Sequence, residues 1–192
     1  MGSDGMGLED IPGRVFLDTS VVNFILDHGE QIHDNYPHAD GTGERDGQDI
    51  DALYNIFLTG GRAMWQLAIS PYTYHEVIRT REPNRRHYLE SWFFEIWQYW
   101  RDVVRQSSDL PTFIEAEDQR VSLLTSGHLN PLPDLADRVL LCDAIVYRCD
   151  LFCTRDWKTI LTRRDELSSI PIEVVSPHEW WLKIRPYAGL WA

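Results

Sequence analysis

The stretch from 134 to 156, DLADRVLLCDAIVYRCDLFCTRD, sets the architecture expected of this chain. Leu135, Val139, Leu140, Ile145 and Val146 recur at roughly helical spacing with no Gly or Pro between them, which predicts a helix. Asp134 is placed to cap its start, because a short carboxylate accepts hydrogen bonds from the first free backbone N–H groups. Leu151, Phe152, Cys153 and Thr154 follow as an apolar run of strand length, and polarity returns at Arg155-Asp156. A helix followed at once by a buried strand is half of an αβ repeat, and such repeats build parallel sheets.

That unit places its own carboxylates. From a turn near Cys149 the strand climbs to Asp156, about 20 Å at ~3.3 Å per residue. From the same turn the helix runs back to Asp137, about 18 Å at ~1.5 Å per residue. The two acids therefore end at similar heights, beside the carboxyl ends of the strands, where ligands bind in open α/β sheets. Asp143 sits only about 9 Å above the turn by the same rise, which suits a supporting position rather than a ligand.

Length and composition bound the rest. A chain of 192 residues, 43% hydrophobic and 25% charged, fits one globular domain with an ordinary core. The domain is expected over 11–192, with 1–10 as a flexible leader. No apolar run is long enough to span a membrane, and the N-terminus lacks the basic-then-apolar pattern of a signal peptide, so the expected location is cytoplasmic. Cys142, Cys149 and Cys153 are odd in number and form no C-x-x-C pair, which reads as buried reduced thiols. The net charge of −12 argues against non-specific coating of nucleic acid. It leaves room for a nuclease, because acids that hold divalent cations add negative charge that the cations locally invert.

Taken in order, RVFLD at 14 to 18 is a strand signal, and Val21, Val22, Ile25 and Leu26 give the next segment a helical apolar face. Asp18 falls where strand becomes helix, a position that suits either a cap or a ligand. Residues 28–49 are polar and glycine-rich and read as a long loop insertion, with His28, His33 and His38 as solvated loop residues. Asp51 to Leu58 reads as a short helix ending at Gly60-Gly61, and WQLAIS at 65 to 70 as a strand. Thr73 with Glu76 fits a capping box, which places Glu76 in a first turn near the strand ends. A helix beginning at Pro71 would instead put Glu76 more than a turn down.

Arg79, Arg81, Arg85, Arg86 and His87 form the one dense basic run. Such a run is either a solvated face or a phosphate contact, since arginines pair bidentately with phosphates. A helical insertion is expected at 85–125. Its first part, YLESWFFEIWQYW at 88 to 100, carries aromatics on more than one face, which suggests core packing plus a subunit interface, with base stacking as the sharper reading. Beyond Asp156 a short helix, a strand at 170 to 175 and a helix capped by Ser176 with Pro177 at its first position complete the chain, and 190 to 192 reads as a loose end.

Asp18, Glu76, Asp137 and Asp156 thus each follow a strand or open a helix, and a parallel sheet would bring all four to one edge. Unpaired carboxylates in proximity repel and raise one another's pKa values. A hard divalent cation resolves this: Mg²⁺ or Mn²⁺ takes oxygen ligands, activates water and stabilises charge in phosphoryl transfer.

At these residues the chain resembles the PIN-domain ribonucleases. VFLDTSVV at 15 to 22 looks like the family's opening motif, SPYTYHEV at 70 to 77 resembles the segment with its second acid, and DRVLLCDAIVYRCDLFCTRD at 137 to 156 resembles its closing motif. VVSPHEW at 174 to 180 is similar to the segment that often follows. The resemblance implies a three-layer α/β/α sandwich with a central parallel sheet of four to five strands, and metal-dependent cleavage of RNA. By position it implies Asp18, Glu76, Asp137 and Asp156 as the Mg²⁺- or Mn²⁺-binding acids, with Thr19 or Ser20 and Thr154 orienting them or a bound water. Asp143 departs from compact members and stands as an alternative third ligand. Arg79, Arg81, Arg85 and Arg86 would steer the RNA. Many members are toxins of toxin–antitoxin pairs, which implies an antitoxin protein as a partner, and a homodimer is expected. Two other readings differ in class: a PIN-like module that binds RNA or protein without cutting, and a phosphatase of the haloacid-dehalogenase type. The latter needs a second Asp two residues after the first, where this chain has Ser20.

Overall fold

Strand β1, Arg14–Leu17, lies between two parallel neighbours: β2, Gln66–Ala68, on one side and β3, Leu151–Cys153, on the other. Strand β4, Glu173–Val175, pairs in parallel with β3 and completes a sheet of order β2-β1-β3-β4. This computed structural model describes residues 11–63 and 65–190. The leader expected at 1–10 and the last two residues of the expected loose end lie outside them.

The central strands are apolar on both faces, as sheets covered on both sides require. Val15, Phe16 and Leu17 in β1, with Phe152 and Cys153 in β3, are fully enclosed, and the rings of Phe16 and Phe152 stack across the pair at 5.3 Å. Helices α1 (Thr19–Asp27), α2 (Gly29–Asp34) and α3 (Glu44–Ala63) connect β1 to β2. Helices α4 (Thr73–Val77), α5 (Pro83–Gln106), α6 (Phe113–Ser126) and α7 (Leu135–Val146) connect β2 to β3, and α8 (Pro177–Ile184) follows β4. α3 packs on α8, while α6 packs on α7. The parallel sheet is therefore flanked by helices in a three-layer α/β/α arrangement. Among the described residues no helix is long and apolar enough to cross a membrane.

Local chemistry accounts for most boundaries. Asp134 accepts from the Ala136 N–H at 2.9 Å and starts α7. Thr112 with Glu115, and Ser176 with Glu179, form capping boxes at α6 and α8, with Pro177 in the first turn of α8.

Several expectations need correcting. The loop at 28–49 is mostly helix: α2 occupies part of it, and α3 begins at Glu44 and absorbs the short helix expected from Asp51. Gly60-Gly61 does not end α3. A Cβ on Gly60 would lie 3.3 Å from the Trp65 ring, so this glycine lets the indole pack against the helix. The capping box at Thr73 and Glu76 is absent, because Tyr72 precedes α4 in a helical conformation and makes no side-chain cap. The helix expected after Asp156 is a turn followed by a 3₁₀ segment, Leu161–Leu167, and the strand expected from 170 is only Glu173–Val175. All three cysteines are buried and free, and burial pushes the Cys142 thiol up to about 12.

Candidate functional site

The strand order fixes where a site can form. β1 and β3 are neighbours, yet the chain leaves β1 toward β2 on one side and leaves β3 toward β4 on the other. Connections that diverge from adjacent parallel strands open a crevice at their carboxyl ends, where ligands of open α/β sheets bind. Asp18 follows β1 directly, and Thr154 to Asp156 follow β3.

Asp18 is 4% exposed and is held from the neighbouring strand. Its Oδ2 accepts from the Ser20 hydroxyl at 2.5 Å and from the Thr154 hydroxyl at 2.6 Å. Each hydroxyl is itself tied to the segment after β3: Ser20 Oγ accepts the Arg155 N–H at 2.9 Å, and Thr154 Oγ1 accepts the Asp156 N–H at 3.0 Å. The Asp18 carboxylate makes no capping bond to α1. Burial raises its pKa, while the two hydroxyls pull the other way, helped by the nearby N–H groups of Thr19 and Ser20, which face the carboxylate without reaching capping geometry.

Asp137 opens α7 and Asp156 lies across from it. The Thr159 hydroxyl bridges them, reaching Asp137 Oδ2 at 3.3 Å and hydrogen bonding Asp156 Oδ2. Asp156 Oδ1 accepts the N–H groups of Lys158 and Thr159, both at 2.9 Å, which fixes the turn. Burial pushes the Asp137 carboxyl up to about 6, reinforced by the charges of Asp18, Asp134 and Asp156. Glu76, in α4, is raised by burial and by the charges of Asp18 and Asp134, and Arg79 opposes them. The Thr19 hydroxyl is near enough to Glu76 to favour its charged form. That contact falls short of hydrogen-bond geometry, and the buried Thr19 Oγ1 has no hydrogen-bond partner.

Asp18, Glu76, Asp137 and Asp156 therefore share one electrostatic field at the rim. As a donor set of carboxylates and hydroxyls they suit a hard divalent cation. By position they stop short of a ready-made cage, since among the described residues no three His, Cys, Asp or Glu side chains are placed to hold one ion. The donor chemistry and the mutual repulsion carry the fit.

Asp143 has other partners. It is fully buried on α7, accepts from the Ser70 hydroxyl and from Arg120 Nε, both at 2.5 Å, and makes an ion pair with Arg120. The basic run divides as well. Arg85 is engaged by Asp27 at 2.8 Å, whereas Arg79 stays exposed beside Glu76. Arg81 is exposed and Arg86 half-buried.

Three contributors escape a sequence reading. Asp134 adds charge to the rim as well as capping α7. Thr159 bridges two acids, and its only sequence signal is an Asp three residues before it. Arg155 points away from the rim: its Nε donates to Asp49 at 2.8 Å, it pairs with Asp46, and its guanidinium covers the Phe24 ring at 3.4 Å. Asp49, 1% exposed, also accepts the His178 N–H at 3.2 Å. The acid-bearing segment after β3 is thus clamped to α3 and to the start of α8.

In comparison with known proteins, no family model matches the chain, and no curated protein or solved structure matches it significantly.

Proposed function

We propose that the chain is a metal-dependent ribonuclease of the PIN-domain kind. The observation that carries this reading is the shared field beside the crevice between β1 and β3: the charges of Asp18, Asp134 and Asp156 raise the Asp137 carboxyl, and those of Asp18 and Asp134 raise Glu76. Carboxylates that repel in this way are stabilised by a cation of the Mg²⁺ or Mn²⁺ class. These four residues would hold it, with the unpartnered Thr19 hydroxyl beside them. Such an ion, when bound, supplies an activated water and neutralises charge on a phosphodiester.

The chain's own residues do the positioning. Ser20 and Thr154 fix which oxygen of Asp18 is engaged from the protein side, and Thr159 keeps Asp137 and Asp156 on one edge. Arg79, exposed next to Glu76, is the member of the basic run set to meet a phosphate backbone at the site. The exposed rings of Tyr88, Phe94 and Tyr99 on α5 support a homodimer contact. An antitoxin partner, an RNA substrate and a cytoplasmic location belong to the same proposal.

Cleavage of a single-stranded RNA panel in Mn²⁺ tests it. Asp18→Asn and Asp156→Asn are expected to abolish cleavage while leaving the fold intact by circular dichroism, and excess chelator to abolish it in the wild type. Full activity in either variant or in chelator would end the proposal. RNA binding without cleavage or Mn²⁺ binding would mark the chain as a PIN-like module instead.

A further inference from the structure

The buried ion pair of Arg120 with Asp143, set apart from the acidic rim, suggests a second element of the site. Arg120 and Asp143 are 4% and 0% exposed, and burying a charge pair is rarely favourable for stability alone. Two branches of this network reach Tyr72, and a third pairs Arg120 with Glu117 on the same helix. The Tyr72 N–H donates to Ser70 Oγ at 3.1 Å, and Ser70 in turn donates to Asp143. The Arg120 guanidinium lies over the Tyr72 ring at 4.9 Å and donates to its hydroxyl at 3.4 Å. Backbone and ring of one partly exposed tyrosine are therefore held by the same carboxylate, through a residue of the helical insertion.

Tyr72 lines a groove of about 320 Å³ between α4 and α7. His75, Arg79, Leu135 and Val139 line it too, and Glu76 joins it to the acidic rim. Leu135 is 64% exposed, so an apolar wall stands open beside the acids. The groove combines a fixed aromatic ring, an apolar wall and, at Arg79, an exposed guanidinium. A nucleobase presents a flat apolar face next to an anionic phosphate, and proteins that read unpaired RNA stack its bases on aromatic rings.

We propose that this groove is a nucleobase subsite for single-stranded RNA, taking the base beside the phosphate that sits at the acids, with Tyr72 as its stacking platform. Arg120 and Asp143 are positioning residues for that platform. The inference rests on the ribonuclease reading and adds to it a base-contacting groove outside the acidic rim, with Tyr72 as its stacking residue.

The test separates binding from cleavage. In an Asp18→Asn background, affinity for a fluorescein-labelled single-stranded oligoribonucleotide is measured by anisotropy for Tyr72, Tyr72→Phe and Tyr72→Ala. The same series is run on an oligonucleotide with one abasic position beside the cleaved bond. Loss of stacking is expected to weaken binding of intact RNA about tenfold or more in Tyr72→Ala, while Tyr72→Phe retains it. The abasic RNA is expected to bind the Tyr72 protein about as weakly as Tyr72→Ala binds intact RNA, with no further loss on combining the two changes. Unchanged affinity in Tyr72→Ala, or additive losses, would overturn the subsite while wild-type cleavage kept the nuclease reading intact. A wild-type chain that neither binds nor cuts RNA would remove both.

Discussion

The Thr154 hydroxyl donates to Asp18 Oδ2 at 2.6 Å, joining the ends of two adjacent strands across 136 positions of sequence. That bond holds a buried carboxylate where a parallel sheet would otherwise leave it poorly solvated. Thr154→Val keeps the shape and removes the donor. It is expected to lower stability by about 1–3 kcal/mol, the usual result of leaving a buried acceptor short of a partner, and to reduce cleavage at least tenfold. Thr154→Ser restores both. Urea denaturation and initial rates check this.

Asp137 supplies a pH dependence. Its carboxyl is pushed up to about 6 from 3.8, by burial and then by the charges of Asp18, Asp134 and Asp156. Between those values the folded chain holds a proton that the unfolded chain has lost. This group's contribution to stability therefore falls as pH rises through that window. Asp18 and Glu76, also raised, act in the same direction. A cation bound by the ionised acids reverses the loss, so Mn²⁺ should raise the melting temperature more near pH 7.5 than near pH 5. Equal shifts at the two pH values in a melting series would contradict it.

Arg155 is expected to matter although it faces away from the rim. Arg155→Ala removes the charged partner of Asp49, 1% exposed, and leaves it only the His178 N–H. Breaking a buried pair from one side costs about 3–5 kcal/mol. Cleavage should fall as well, because Arg155 is flanked by Thr154 and Asp156. Arg155→Lys keeps the charge but not the paired contacts to Asp46 and Asp49, so it should recover only part of the stability. A chemical-denaturation series across the three proteins decides this.

Much of this arrangement could be read from the chain before any coordinates, and the reason is geometric. Asp18, Asp137 and Asp156 lie at strand ends or helix starts, and a parallel sheet sends all such positions to one rim. The clamp formed by Arg155 with α3 was hidden for the opposite reason. Asp49 puts a charge on a helix face otherwise made of Ile50, Leu53 and Ile56, so the apolar periodicity breaks and the segment reads as loop. Gly47 and Gly60 deepened the error, although Gly60 serves to admit Trp65. Thr73 and Glu76 misled in a further way, matching a capping box that the helical backbone of Tyr72 prevents. The failed cap leaves the Glu76 carboxylate at the rim beside Thr19 and Asp18.

Arg120 and Asp143 should behave as a pair that supports the fold and Tyr72, apart from the acids. Arg120→Met or Asp143→Leu alone is expected to destabilise by about 3–5 kcal/mol. The double variant should lose less than the sum, with a coupling of roughly 0.5–3 kcal/mol. Mn²⁺ affinity of the double variant, measured by calorimetry, should match the wild type. A loss of Mn²⁺ binding there would return Asp143 to the ligand set.

The most direct test of the acidic rim is a Mn²⁺-soaked crystal with the ion located by its anomalous signal. The account predicts density at the crevice between β1 and β3, coordinated by carboxylate oxygens from Asp18, Asp137 and Asp156 with Glu76 alongside. Mn²⁺ bound only elsewhere, or those carboxylates remaining apart at saturating metal, would contradict it.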